Sequence, residues 1–193
     1  MARNNTPGGK TSDVVSQIGR LLPALYKKPR RQPKTAELLE SFDIWKVDEI
    51  GLDAVARDRL QANPTGYRHH QIRVDNRVGA YALSEESTPG TRHIIKVALS
   101  QSAEKIHKAI DQIDAKRGDD TEARLLVVRR YSVYSFWLVE RQEVYVFSRP
   151  SHFKRLPLRK FLSEVDFLRA LQGEIEEFKA RTAYSSHSEE TPS

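Results

Sequence analysis

The chain has 193 residues, of which 38% are hydrophobic and 30% charged; its net charge is +6, and it has no cysteine. That length fits one domain with tails, and the missing thiols exclude disulfides, thiolate nucleophiles and cysteine-based zinc sites. No apolar run exceeds four residues, as in 125–128 and 136–139, far short of the roughly 20 that a membrane-spanning helix needs. The N-terminus lacks the apolar stretch of a secretory signal, so the expected compartment is the cytoplasm.

The charge is unevenly placed. Residues 1–34 hold eight basic side chains and one acidic one, whereas the remaining 159 residues hold 24 basic and 25 acidic ones. The high pI therefore belongs to the leader, and the rest of the chain is close to neutral. A cationic arm on a neutral body suggests tethering to a partner rather than a basic catalytic groove.

In chain order, 1–12 are polar and contain Pro7-Gly8-Gly9, which predicts disorder. Val14, Ile18, Leu21, Leu22 and Leu25 fall at helical spacing, giving a short amphipathic segment over 13–25 that Pro23 interrupts. Next come Lys27, Lys28, Arg30, Arg31 and Lys34, five cations with two prolines and no acid, which read as an extended, solvated linker. A single α+β domain is expected over 35–181, with a disordered polar tail over 182–193.

Within that domain, Leu38, Leu39 and Phe42 predict a short helix over 35–42, and Leu52, Val55, Ala56 and Leu60 another over 48–60. Asn63-Pro64-Thr65-Gly66 is a stop signal. Alternation predicts a hairpin of 70–75 and 78–84 turning at Asp75-Asn76-Arg77. Ile95, Leu99, Ala103, Ile106, Ile110 and Ile113 predict a long helix over 92–116; the alternative is a strand over 93–99 with Ser100 capping a shorter helix. Gly118 is the natural stop. Strands at 124–131, 133–140 and 143–148 are rich in Val, Tyr, Phe and Trp. Pro150 and Pro157 mark a loop. A closing helix over 164–181 carries Val165, Leu168, Leu171, Ile175 and Phe178 as its stripe, and Ser163 with Asp166 has the outline of a capping box. The order α-α-β-β-α-β-β-β-α predicts an α+β fold with a largely antiparallel sheet of about five strands and helices on one face.

Chemistry is sparse. Phosphate-loop, dinucleotide, HExxH and nucleophile-elbow motifs are all missing from the sequence. His69 and His70 are neighbours on a strand and so point to opposite faces; convergence of either with His93 or His152 is not readable from spacing. Glu177-Phe-Lys179 has the letters of a nuclease motif, but on a helix residues two apart diverge by about 200°. Arg68, Arg73, Arg77, Arg129 and Arg130, with Tyr67, Tyr131 and Tyr134, form a set that on a sheet can pair phosphates and stack bases.

The expected function is that of a non-enzymatic binding or adaptor protein. The domain would recognise a macromolecular partner, and the arm would add a second contact through Leu21, Leu22, Leu25, Lys27, Lys28, Arg30, Arg31 and Lys34. The alternatives are a nucleic-acid-binding protein using the arm and the Arg/Tyr sheet face, or a metal-independent ribonuclease using Arg, His and Tyr. Neither cofactor nor metal is expected.

Overall fold

A computed structural model describes residues 11–25, 35–47, 59–75, 77–118 and 120–187. Among them are eight strands and three helices. The strands are β1 (Ala36–Lys46), β2 (Asn63–Val74), β3 (Arg77–Thr88), β4 (Thr91–Leu99), β5 (Arg124–Val128), β6 (Val133–Leu138), β7 (Glu143–Ser148) and β8 (Phe161–Ser163). The helices are α1 (Thr11–Leu21), α2 (Gln101–Arg117) and α3 (Glu164–His187). No helix among the described residues is long and apolar enough to cross a membrane.

All eight strands form one sheet in the order β4-β3-β2-β1-β5-β6-β7-β8. Two antiparallel meanders, β1–β4 and β5–β8, meet at its centre, where β1 and β5 pair in parallel. Closing a parallel pair needs a long crossover. That crossover includes α2, which leaves the far edge strand β4 and returns to β5.

The α+β class stands, and three expectations are corrected. The sheet is mixed and has eight strands, not about five antiparallel ones. The predicted helix over 35–42 is strand β1. The predicted long helix over 92–116 is strand β4 followed by α2, the alternative reading of that stretch: Ser100 accepts a hydrogen bond from the Ser102 N–H (3.0 Å) and starts the helix. The predicted helix over 48–60 lies outside the described residues except for its end, where Leu60 is buried and not helical. Residues 1–10, 26–34 and 188–193 also lie outside them, while α3 continues through 182–187.

A fourth correction concerns the helices, which cover both sheet faces and not one, because β5–β7 present apolar side chains on both sides. On one face α2 buries Ile106, Ala109, Ile110 and Ile113 against Phe42, Leu125, Phe136, Leu138 and Tyr145. On the other, α3 buries Phe167, Leu168, Leu171 and Ile175 against Leu126, Val128, Trp137, Val144 and Val146. That second face also carries α1, whose Val14 and Ile18, with Leu22 just beyond its end, pack on Ile72, Val74, Ala80 and Ala82. Gln17 of α1 accepts a hydrogen bond from the Ile94 N–H of edge strand β4 (3.0 Å), which guards part of an edge otherwise open to pairing. At α3 the Asp166 N–H donates to Ser163 Oγ (3.0 Å), and that hydroxyl donates to Asp166 Oδ2 (2.7 Å).

Candidate binding surface

Three places among the described residues bear on function, and the first has the outline of a catalytic array. His70, at the centre of β2, is buried. Its Nδ1 lies 2.8 Å from Ser41 Oγ on β1, and its Nε2 lies 2.7 Å from Ser84 Oγ on β3. Arg68, two residues earlier on the same face, approaches Asp43 at 3.5 Å, and Arg92 approaches the same carboxylate at 3.7 Å. A hydroxyl, an imidazole and an orienting group in a row satisfy the geometry of a nucleophile and its base.

The electrostatics oppose that use. Burial pushes His70 down to about 3, with Arg68, His69 and Arg92 pushing the same way. So weak a base is poorly matched to proton transfer near neutral pH. The third member is a neutral hydroxyl, which does not stabilise an imidazolium as a carboxylate would. A neutral imidazole donates at one nitrogen and accepts at the other, so this rung ties three strands together with both ring nitrogens occupied.

The second place is the opposite face of β2. His69 is buried and stacks on Tyr81 (5.1 Å, 13°), and burial pushes it down to about 4. Gln71 is fully buried, and neither of its amide atoms has a hydrogen-bond partner among the described residues. His69 and His70 point to opposite faces, so they serve no common site. Among the described residues no group of three or more His, Asp or Glu side chains is placed to hold a metal ion.

The third place is exposed. Phe42, Ile44, Val127 and Phe147 belong to the face covered by α2. Tyr134 pairs with Val127, and Tyr67 alternates along β2 with His69, whose strand partner is Phe42; both tyrosines therefore stand on that same face. The helix crosses it obliquely, from Gly79, whose carbonyl accepts from the Ser100 N–H, to Glu143, which pairs with Arg117. Among the described residues, no helix covers the end of the face beyond α2. There Tyr67 is 38% and Tyr134 39% exposed, with Ile44, Val127 and Phe147 half-buried between and beside them.

Cations surround this strip. Lys46, at the end of β1, is exposed and pairs with Val127. Arg129 and Arg130 are exposed on the 3-10 turn that joins β5 to β6. Arg159 and Lys160 are exposed just before β8. Arg159 donates its backbone N–H to the Val146 carbonyl (2.8 Å), and its charge opposes the upward push that burial gives Tyr145. The loop carrying them is built into the fold: Phe153 and Leu156 are buried, and buried Glu174 of α3 accepts from the N–H groups of Arg155 and Leu156. The carboxylate nearest in the pairing scheme is Glu85 on β3, opposite Tyr67, which bounds the strip on that side.

The Arg/Tyr set is thus divided by the fold. Tyr67, Tyr134, Arg129 and Arg130 lie at the open strip. Arg68 and Tyr131 are buried, and Arg73 pairs with Glu37 at 2.7 Å. Arg77 is exposed in the β2–β3 hairpin, at the opposite end of the sheet. Of the segment expected to contact a partner, Leu22 is buried, Leu25 packs on the α1 cluster and Leu21 is 44% exposed; Leu22 is therefore occupied within the chain. Lys27, Lys28, Arg30, Arg31 and Lys34 lie outside the described residues. Spacing does not single out Arg149, Lys154, Arg155, Arg159 and Lys160, five cations without an acid over the twelve residues 149–160, a looser run than the five in eight of 27–34. Its two prolines, Pro150 and Pro157, mark it as a loop.

No family model, no curated protein and no solved structure matches the chain.

Proposed function

We propose that this is a non-enzymatic binding protein whose α+β domain holds a macromolecular partner on the open end of its sheet, with the basic segment 27–34 as a second contact. One observation carries the reading: two tyrosines stand exposed on a strand face, with apolar residues between them and cations around them. Exposed aromatic and cationic side chains on a rigid scaffold are the usual anchors of recognition. The array around His70, which has a catalytic outline, supports the same reading, because its imidazole is desolvated and both of its nitrogens are occupied.

The test is co-purification with the full chain. Tyr67→Ser with Tyr134→Ser should lose a partner that the unaltered protein retains, at unchanged thermal stability. Replacing Lys27, Lys28, Arg30, Arg31 and Lys34 by Gln should weaken that partner's retention further. Neutralisation is the cleaner test of the leader, because deleting residues 1–34 would also strip Val14, Ile18 and Leu22 from the core. Identical retention by all three proteins would sink the proposal.

A further inference from the structure

Building on that reading, we infer that the partner on the open strip is a single-stranded nucleic acid, its bases stacked on Tyr67 and Tyr134 and its phosphates paired to the surrounding cations. Three properties of the strip select this class. First, it offers π-faces. Tyr67 and Tyr134 are on β2 and β6, three strand spacings apart, which is roughly 14 Å at about 4.8 Å per spacing. That span suits the two or three bases that an aromatic-bearing sheet of this kind stacks. The half-buried Ile44, Val127 and Phe147 give the bases an apolar floor.

Second, the cations lie at the margins. Lys46, Arg129 and Arg130 flank the ends of β1 and β5, and Arg159 and Lys160 lie along the β8 side. A strand crossing the sheet with its bases inward turns its phosphates outward toward such margins. The Glu85 carboxylate opposite Tyr67 repels phosphate and sets the limit of the path on the β3 side.

Third, the shape disfavours a duplex. A double helix is entered by a protruding helix or ribbon. Here the cations surround a sheet surface, and a paired strand keeps its bases stacked on one another and out of reach of Tyr67 and Tyr134. Tyrosines anchor protein partners too, but two ring faces on a flat strand surface with cations at its margins match stacked bases and outward phosphates more closely.

The experiment is fluorescence anisotropy with the full-length protein and three probes: an oligo(U) of about twelve nucleotides, a duplex of the same length, and heparin, which carries charge without bases. Oligo(U) should bind more tightly than either competitor. Tyr67→Ser and Tyr134→Ser should each weaken oligo(U) about tenfold, the effect of losing one base stack. Tyr134→Phe, which keeps the ring, should stay within about twofold of the unaltered protein. The five strip cations should contribute about −3.5 to the log-salt slope, in addition to the share of segment 27–34, and Arg129→Gln with Arg130→Gln should flatten it by about 1.4. Equal binding of heparin and oligo(U), indifferent to both tyrosines, would overturn the single-strand inference while leaving a polyanion on the surface. Binding to none of the three probes overturns it too; if the tyrosine variants still lose a co-purifying partner, the broader proposal survives alone.

Discussion

Strands β5–β7 and strand β2 lie in one sheet between helices, yet they bury different chemistry. Every buried residue of β5–β7 is apolar or aromatic except Ser135. Strand β2 buries Arg68, His69, His70 and Gln71 in succession, two on each face. The first half gains its stability from apolar area removed from water. The second depends on polar groups finding partners and on imidazoles staying neutral. The two halves should therefore respond oppositely to truncation, to pH and to the removal of polar groups.

The largest expected effect is in the apolar half. Phe136 is fully buried, edge-on to Phe42 (5.0 Å) and tilted against Phe147 (5.4 Å). Phe136→Ala should cost about 3–5 kcal/mol in urea unfolding. A loss below about 1 kcal/mol would mean that this half collapses around the cavity and is not packed as described.

The polar half should dominate the pH dependence. His69 and His70 have folded-state values of about 4 and about 3, both below their ordinary 6.5 because of burial. Between pH 6.5 and those values the unfolded chain binds protons that the folded chain does not, so stability falls as the solution is acidified. Each histidine contributes up to about 1.4 kcal/mol per pH unit across its window. His69→Gln should roughly halve the slope of unfolding free energy against pH between 6 and 4 (roughly one of two titrating imidazoles removed). An unchanged slope would show that His69 reaches solvent when protonated.

Gln71 gives a smaller effect of opposite sign to Phe136. Its buried amide has no partner among the described residues, and an unsatisfied buried amide costs about 1–3 kcal/mol. Gln71→Leu should raise stability by about 1–2 kcal/mol. A loss of similar size would mean that ordered water satisfies the amide and that the interior beneath α2 is wet.

The same contrast decides what was legible in the sequence. Strands β5, β6 and β7 start where the sequence predicts them, because they are dense in Val, Leu, Tyr, Phe and Trp, as strands covered on both faces are. In β1 the register shifts between Leu38 and Ser41. That irregularity places Leu38 on the α1 face and Phe42 on the α2 face, a four-residue spacing that imitates a helix. Strand β4 does the same: the shift near Ile95 spaces inward Ile94 and Val97 three apart, and the stripe continues into α2 without a break. Strand β2 starts at Asn63, seven residues before the predicted start, because Pro64 and Gly66 have the composition of a stop. Gly66 instead takes φ +77 within the strand, a backbone region glycine enters without steric penalty. Tyr67, Tyr134, Arg129 and Arg130 were visible as residue types, but only the pairing register distinguishes the two exposed tyrosines from buried Tyr131. Nothing in spacing foretold that Ser41 and Ser84 would bracket His70, since they lie 29 and 14 residues from it.

The smallest effect tests the turns. Chain reversals at both ends of β6 use the same device, a 3-10 turn closed by a residue in the left-handed region: Ser132 at φ 51, ψ 36 and Gln142 at φ 53, ψ 38. Their N–H groups donate to the carbonyls of Arg129 and Val139, each at 3.2 Å. A residue with a Cβ loses about 1–2 kcal/mol in that conformation, and glycine's extra freedom in the unfolded chain returns about 0.5–1 of it. Ser132→Gly and Gln142→Gly should each raise stability by about 0.5–1 kcal/mol. They are separated by the six residues of β6, roughly 20 Å, so the double variant should show their sum. In the polar half the matching substitution should fail. Asp75 also has positive φ, 45°, but its carboxylate accepts the Thr35 N–H at 3.1 Å and joins the start of β1 to the β2–β3 turn. Asp75→Gly relieves the same strain and loses a hydrogen bond of about 0.5–1.5 kcal/mol, for a net change near zero or below. Equal gains at all three positions would mean that the hydrogen bond contributes nothing, and that the two halves differ less than their interiors suggest.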